Sequence, residues 1–280
     1  MLYSILLAGA SLAATVSAEC SRSTLQDATD AYVAAQSGGS SSAMTAVAPD
    51  VTYTENEQPM DMSSGVLTQA LTIDRNVSIH DTVQCATFTE LIAASAEHPY
   101  VIGTRMLFDA DGTQINTIES IVTDQGDWAF NATGYLYWSS MEDWSPIPEA
   151  ERDNRDVIQA AGDAYFDRFN NVNVTVPWGT PCARLEGGAY TGARNVSANT
   201  CNLGLPETIE VTNRRYVIDE VMGAVDMFLG FPGLDRSQGQ EPMPDSHFFR
   251  VEDGKIKYIH TVSSCVEAGC GLSGMAPPSF

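Results

Sequence analysis

The chain has 280 residues, and 44% of them are hydrophobic, enough to build packed cores and to exclude wholesale disorder. Acidic residues outnumber basic ones 36 to 14, a formal charge of −22. Such a surface repels phosphate backbones and anionic bilayers, so nucleic acids and membranes are excluded as expected partners, and high solubility is its ordinary consequence.

Ile5 to Val16 form a short apolar run that ends in Val16-Ser17-Ala18. The run is too short to cross a bilayer, and its small closing residues suit signal-peptidase cleavage. Residues 1–18 therefore read as a signal peptide, and the mature chain is expected to be secreted or lumenal. Six cysteines agree with an oxidising compartment: Cys20, Cys85, Cys182, Cys201, Cys265 and Cys270. Pairing by proximity within each half gives Cys20–Cys85, Cys182–Cys201 and Cys265–Cys270; the sequence alone leaves other connectivities open. Four N-x-S/T sequons, at Asn76, Asn131, Asn173 and Asn195, predict exposed and glycosylated positions.

A helix is predicted at Leu25, Ala28 and Tyr32, with Ser23 and Gln26 as a capping box and Gly38-Gly39 as its end. The same periodicity returns at Ile158, Ala161, Tyr165 and Phe169. Asp30-Ala31-Tyr32 matches Asp163-Ala164-Tyr165, and Val51-Thr52 with Gly65 matches Val174-Thr175 with Gly188. Asp81-x-Val83-x-x-Ala86 matches Asp219-x-Val221-x-x-Ala224, and Phe108, Gly112, Ile115 and Ile118 match Phe249, Gly254, Ile256 and Ile259. Four matches in one order predict a duplicated unit. Each copy reads as a helix, an extended segment and several strands, an α+β arrangement with the helix on a curved antiparallel sheet. Asp111-Gly112 and Asp253-Gly254 are hairpin turns. The spacing of three between Ile115 and Ile118, and between Ile256 and Ile259, predicts a β-bulge. The two prolines of Trp144-Ser145-Pro146-Ile147-Pro148 place the boundary there, giving domains 19–146 and 147–280, and the charged run Glu149 to Asp156 opens the second helix. Gly233 to Pro244 reads as a loop that could act as a lid.

Motifs for common chemistry are missing. The sequence has no GxSxG, HExxH or GxxxxGK[ST]. His80, His98, His247 and His260 have no metal-ligand spacing, so neither metal nor cofactor is expected. In Asn213-Arg214-Arg215-Tyr216 strand alternation puts Arg214 and Tyr216 on one face. Arg214 is either a donor to a ligand carbonyl or the partner of Asp219 or Asp226. Asp219, Glu220 and Asp226 are acid–base candidates if buried, or ordinary paired carboxylates. His247 follows the expected lid, and Arg250 lies three residues on. Trp178, Tyr190, Met222, Met227 and Phe228 either line an apolar pocket or pack as core. Trp178 is expected in a loop, between Pro177 and Gly179. Tyr53 or Glu55 would reach the first half's pocket.

The segments Pro177–Gly188, Asn213–Glu220 and Pro244–Val251, with Ser78-Ile79-His80-Asp81 and Cys85, resemble a family of secreted fungal NTF2-like (SnoaL-like) proteins of mostly unknown function. That family includes hetero-Diels–Alderases of tropolone-sesquiterpenoid pathways, which are glycosylated, disulfide-bonded and cofactor-free. The resemblance implies two tandem NTF2-like cones and a cofactor-independent [4+2] cyclase joining an o-quinone methide to a macrocyclic terpene such as a humulene. Its catalytic donors would be Arg214, Tyr216, His247 and Arg250, with Asp226 as acid–base. Trp178, Tyr190, Met222, Phe228 and Tyr53 would hold small apolar substrates. A binding protein without catalysis and an acid–base isomerase or cyclase are the rival readings, and a homodimer is left open.

Overall fold

A computed structural model describes residues 20–231 and 242–266. The expected signal peptide, the partner Cys270 and most of the expected lid lie outside the described residues. No helix among the described residues is long and apolar enough to cross a membrane.

Helix α1 spans Arg22–Gly38 and buries Leu25, Ala28, Tyr32 and Ala35 on one face. Its cap differs from the expected Ser23–Gln26 box. Ser21 caps the helix, its Oγ accepting from Thr24 N at 3.1 Å. The Cys20–Cys85 disulfide anchors the chain one residue earlier, so the helix starts at that anchor and Ser23 lies inside the first turn. This bridge closes a 65-residue separation, worth about 4 kcal/mol in the chain-entropy account. Gly112 permits it: φ is +67°, and a Cβ there would sit 2.4 Å from Cys20 Sγ.

The first sheet comprises β1 (Val47–Glu55), β2 (Gln58–Pro59), β3 (Arg75–Asp81), β4 (Ala86–Ala93), β5 (Tyr100–Phe108) and β6 (Ile115–Thr123), in the order β2-β1-β6-β5-β4-β3. A short helix, α2 (Ala132–Ser139), follows. Sequence periodicity does not find it, because Tyr135, Leu136, Tyr137 and Trp138 make it apolar all round. Helix α3 (Arg155–Asn170), capped by Asn154, opens the second half. It begins only at the end of the charged run; Glu149–Glu151 form a separate 3-10 turn. The second sheet comprises β7 (Trp178–Glu186), β8 (Ala189–Tyr190), β9 (Thr212–Asp219), β10 (Ala224–Phe231), β11 (Met243–Glu252) and β12 (Lys255–Ser263). Its order, β8-β7-β12-β11-β10-β9, repeats that of the first. Met243 and Pro244, expected in the loop, already pair as strand with Phe231 and Gly230.

Both sheets are mixed, where antiparallel sheets were expected. β1 runs parallel to β6 and β7 parallel to β12, because the first long strand of each half pairs with its last one. The bulges stand where the isoleucine spacing puts them: Asn116 and Lys257 are the extra residues between paired positions. The register corrects two of the repeat matches. Thr52 is equivalent to Ala183 through Thr117 and Tyr258, while Val174-Thr175 precedes β7. Phe108 corresponds to Val251, since each faces the first isoleucine of its pair.

Strand alternation builds three cores. One lies under α1, one lies under α3, and one joins the two sheets through Phe88, Phe228 and Phe248. The order of layers is therefore helix, sheet, sheet, helix. Two reciprocal clamps cross the middle. Arg22 at the start of α1 donates both guanidinium nitrogens to Asp219 at the end of β9, at 2.8 and 2.7 Å. Arg155 at the start of α3 does the same to Asp81 at the end of β3, at 2.7 and 2.7 Å. Each aspartate also accepts a backbone N–H from the opposite sheet, His80 N to Asp219 and Ile218 N to Asp81. Each holds its own turn as well, through Val83 and Gln84 or Val221 and Met222.

Between the sheets His260 lies against two carboxylates, with Nδ1 2.9 Å from Glu90 and Nε2 2.5 Å from Glu142. Tyr135 donates to Glu90 and Trp144 to Glu142. Burial opposes the imidazolium, but the two carboxylates outweigh it and push the pKa up to about 10. The Cys182–Cys201 bridge also stands as paired by proximity. The four sequon asparagines are all exposed.

Removing one clamp arginine leaves a buried carboxylate without its counter-charge. Arg22→Ala and Arg155→Ala are each expected to lose roughly 3–5 kcal/mol in chemical denaturation. A loss under about 1 kcal/mol in both would show that the clamps do not hold the halves together.

The fold favours protonated His260, whose unfolded pKa is 6.5. Its stabilisation is therefore complete below pH 6.5 and disappears as pH rises through about 10. Denaturation midpoints measured across that window should fall for the wild type and fall less for His260→Gln.

Candidate functional site

Helix α3 covers one face of the second sheet, and alternation along β11 sends Asp245, His247 and Phe249 to that face. Asp245 Oδ1 holds His247 Nδ1, and Ser263 from β12 donates to Asp245 Oδ2. With the Nδ1 proton held by Asp245, the neutral ring carries its lone pair on Nε2. No described residue hydrogen-bonds that nitrogen, and the side chain keeps 6% of its surface. The ring is walled by aromatics: centroids lie 4.8 Å from Phe166, 5.8 Å from Tyr165 and 6.2 Å from Phe249. Burial pushes the Tyr165 phenol above its ordinary range, so it stays protonated. An oriented imidazole in an apolar enclosure can accept a proton from a bound molecule or return one to it.

The other expected residues do not gather there. Arg214 pairs with Asp163 and Asp167 on α3 at 2.9 and 2.8 Å, and Tyr216 donates to Asp163 at 2.8 Å. They share a face, as alternation requires, but they strap β9 to the helix. Neither Asp219 nor Asp226 is the partner of Arg214, since Asp219 is taken by Arg22 and Asp226 faces the other side of the sheet. Asp226 is sealed between the sheets, where burial drives its carboxyl well above the usual range and Ser246 donates to it. Arg250 also faces away from His247; it donates to Glu252 and to the carbonyl of Met222.

The expected apolar lining is divided among three cores. Trp178 is not in a loop: it opens β7, and its ring meets Tyr165 edge-on at 5.9 Å, beside the His247 cluster. Tyr190, Met222 and Phe228 belong to the layer between the sheets, where Tyr190 stacks on Trp138 at 4.5 Å. Met227 packs under α3. Tyr53 lies in the first half and donates to Glu55. Of the other histidines, His80 faces α1, its Nε2 3.1 Å from Thr29 Oγ1, His260 faces the inter-sheet layer, and His98 pairs with Asp124 at the surface.

Asp245, Ser263 and Thr261 are participants that sequence reasoning missed. The available signal was Asp245-x-His247, two residues apart and therefore on one strand face. Arg184 was missed as well. Buried on β7, it donates to Glu186 and to the Cys201 carbonyl, tying the strand to the disulfide loop.

The first half serves as an internal control. There the positions of His247 and Thr261 are filled by Thr104 and Ser120, which pair in the same register. Tyr32, Thr104 and Ser120 hydrogen-bond in a chain at 2.6 and 2.8 Å, so these groups satisfy one another. A cavity of about 380 Å³ opens beside Glu55, Gln69 and Tyr100. A larger one, about 710 Å³, lies along the linker beside Arg152, Arg250 and Lys257, but five carboxylates share its lining.

No curated protein matches the chain. Residues 151–263, from just before α3 to the last residue of β12, are similar to a family described as a domain of unknown function (DUF8021), so the resemblance is carried by the half that holds the His247 cluster.

Proposed function

We propose that the second half binds a small, largely apolar molecule between α3 and its sheet, and that His247, oriented by Asp245, exchanges a proton with it. One observation carries this reading: a histidine with one nitrogen fixed by a carboxylate and the other unpartnered, inside an aromatic enclosure. This is the arrangement of a general base whose orienting group is in place. Ser263 fixes the second oxygen of Asp245, so the carboxylate cannot swing away from the ring. On this reading each half is an NTF2-like cone, the chain is a secreted acid–base isomerase or cyclase, and Arg214 and Tyr216 support the fold.

The hetero-Diels–Alder reading uses the same place. Protonated His247 would donate from Nε2 to an enone oxygen, and the walls of Tyr165, Phe166 and Trp178 would hold the apolar partner in attack geometry. The aromatic enclosure favours it; the carboxylate-oriented base favours proton transfer, which we place first.

The test uses 2-tetralone, an apolar bicycle with an acidic C–H beside its carbonyl. Deuterium exchange at that carbon is followed by NMR in the presence of glycosylated protein. His247→Ala is expected to slow protein-dependent exchange by about 10²-fold or more, and Asp245→Asn to slow it with the fold intact. Equal rates in stable variants would remove His247 from the reaction. A stereochemically biased adduct from a quinone-methide precursor and humulene, without any exchange, would select the cycloaddition.

A further inference from the structure

We infer that Thr261 is a second ligand contact beside His247, and that the pair selects an apolar molecule bearing one carbonyl oxygen next to a proton-bearing atom. This inference rests on the reading of His247 as ligand-facing. Thr261 stands directly opposite His247 in the β11–β12 register, so both side chains leave the sheet on the same face, about 5 Å apart at their β-carbons. The Thr261 residue is only 4% exposed, and its Oγ1 has no hydrogen-bond partner. A buried hydroxyl without a partner is uncommon and unfavourable, because water is lost and nothing replaces it.

The neighbouring groups make the vacancy specific. Ser263, two residues along the strand, is used by Asp245. In the first half, Ser120 in the corresponding position is satisfied by Thr104, which Tyr32 satisfies in turn. Replacing that threonine by histidine, and committing the histidine's Nδ1 to Asp245, breaks the chain in the second half and leaves Thr261 Oγ1 and His247 Nε2 open side by side. Phe166, Phe249 and Tyr165 wall this face, so a ligand must be apolar elsewhere. The hydroxyl donates to an oxygen; the imidazole nitrogen meets an atom that carries a proton. A ketone with an adjacent C–H or O–H offers both at that spacing, whereas a hydrocarbon offers neither. Thr261 acts here as a specificity-determining residue, donating to the oxygen while His247 deals with the proton.

The experiment compares binding of tetralin, 1-tetralone and 2-tetralone to the full glycosylated chain by calorimetry, in the wild type, Thr261→Val, Thr261→Ser and His247→Ala. The wild type should prefer both ketones over tetralin. Thr261→Val, nearly isosteric, should erase that preference, a weakening of roughly tenfold, while leaving tetralin binding unchanged. Thr261→Ser should restore it. Because the hydroxyl has no structural partner, Thr261→Val should melt no lower than the wild type; a marked drop would show a structural bond and overturn the assignment. Equal ketone binding in wild type and Thr261→Val would overturn it too, as would a wild type with no preference for ketones. The two readings fail separately. Loss of 2-tetralone exchange in His247→Ala without a ketone preference leaves the base and removes Thr261. A ketone preference lost in Thr261→Val, with normal exchange in His247→Ala, leaves the oxygen contact and removes the base.

Discussion

Two buried aspartates each receive a guanidinium from the opposite half, and the central layer of the molecule depends on that exchange. Asp81 and Asp219 end equivalent strands, and Arg155 and Arg22 begin equivalent helices. Each carboxylate is almost without water, so it needs both a cation and several N–H donors to stay there. The donors come from both sheets at once. Sliding one sheet over the other would break the bidentate pair and the cross-sheet amide together, on both sides of the pseudo-symmetric interface. The clamps thus set the registry in which Phe88 meets Phe228 and Phe248, and in which His260 of one half reaches Glu90 of the other.

Duplication also frees one copy to change. A sheet face under a helix must satisfy its buried hydroxyls internally or with a ligand. In the first half Tyr32, Thr104 and Ser120 satisfy one another, although Thr87 Oγ1 on the same face has no partner. The second half has no such chain, because His247 is drawn to Asp245. The same backbone therefore supports a closed polar chain in one copy and an open pair in the other. The distinction lies in a few side chains that the sheet topology holds in equivalent places.

The acidic composition constrains the fold as well as the surface. With 14 basic residues among 36 acids, most arginines are already committed to structural tasks. Arg22 and Arg155 join the halves, Arg214 straps β9 to α3, and Arg105 pairs with Glu119. An arginine in this chain has a carboxylate within reach almost wherever it points, which makes it a poor free donor for a ligand. What the second half leaves open is one nitrogen of His247 and the hydroxyl of Thr261.

Local signals decided much of this by themselves. The period of Leu25, Ala28 and Tyr32, the spacing of Ile115 and Ile118, the Asp-Gly turns and the Cys182–Cys201 bridge were legible because each depends on residues close in the chain, and Cys20–Cys85 because those are the two cysteines of the first half. The duplication was legible as one pattern repeated twice, although its register was not: a β-sheet aligns by hydrogen-bonded partners, so Thr52 matches Ala183, not Thr175. The uniformly apolar α2 escaped because it has no periodicity to read. What the sequence could not decide was partnership across distance. Arg214, Tyr216, Arg250 and Asp226 carry the right chemistry for a site, yet alternation sends them to two faces, where Asp163 and Asp167, Glu252 and the Met222 carbonyl, and Ser246 bond to them. His247 keeps its Nε2 without a hydrogen bond to any described residue, and only the packing of β11 against β12 and α3 brings Thr261 beside it. Charge and hydrogen-bonding capacity are properties of a residue, and sequence reports them; whether that capacity is already used depends on which strands are neighbours, and that is settled in three dimensions.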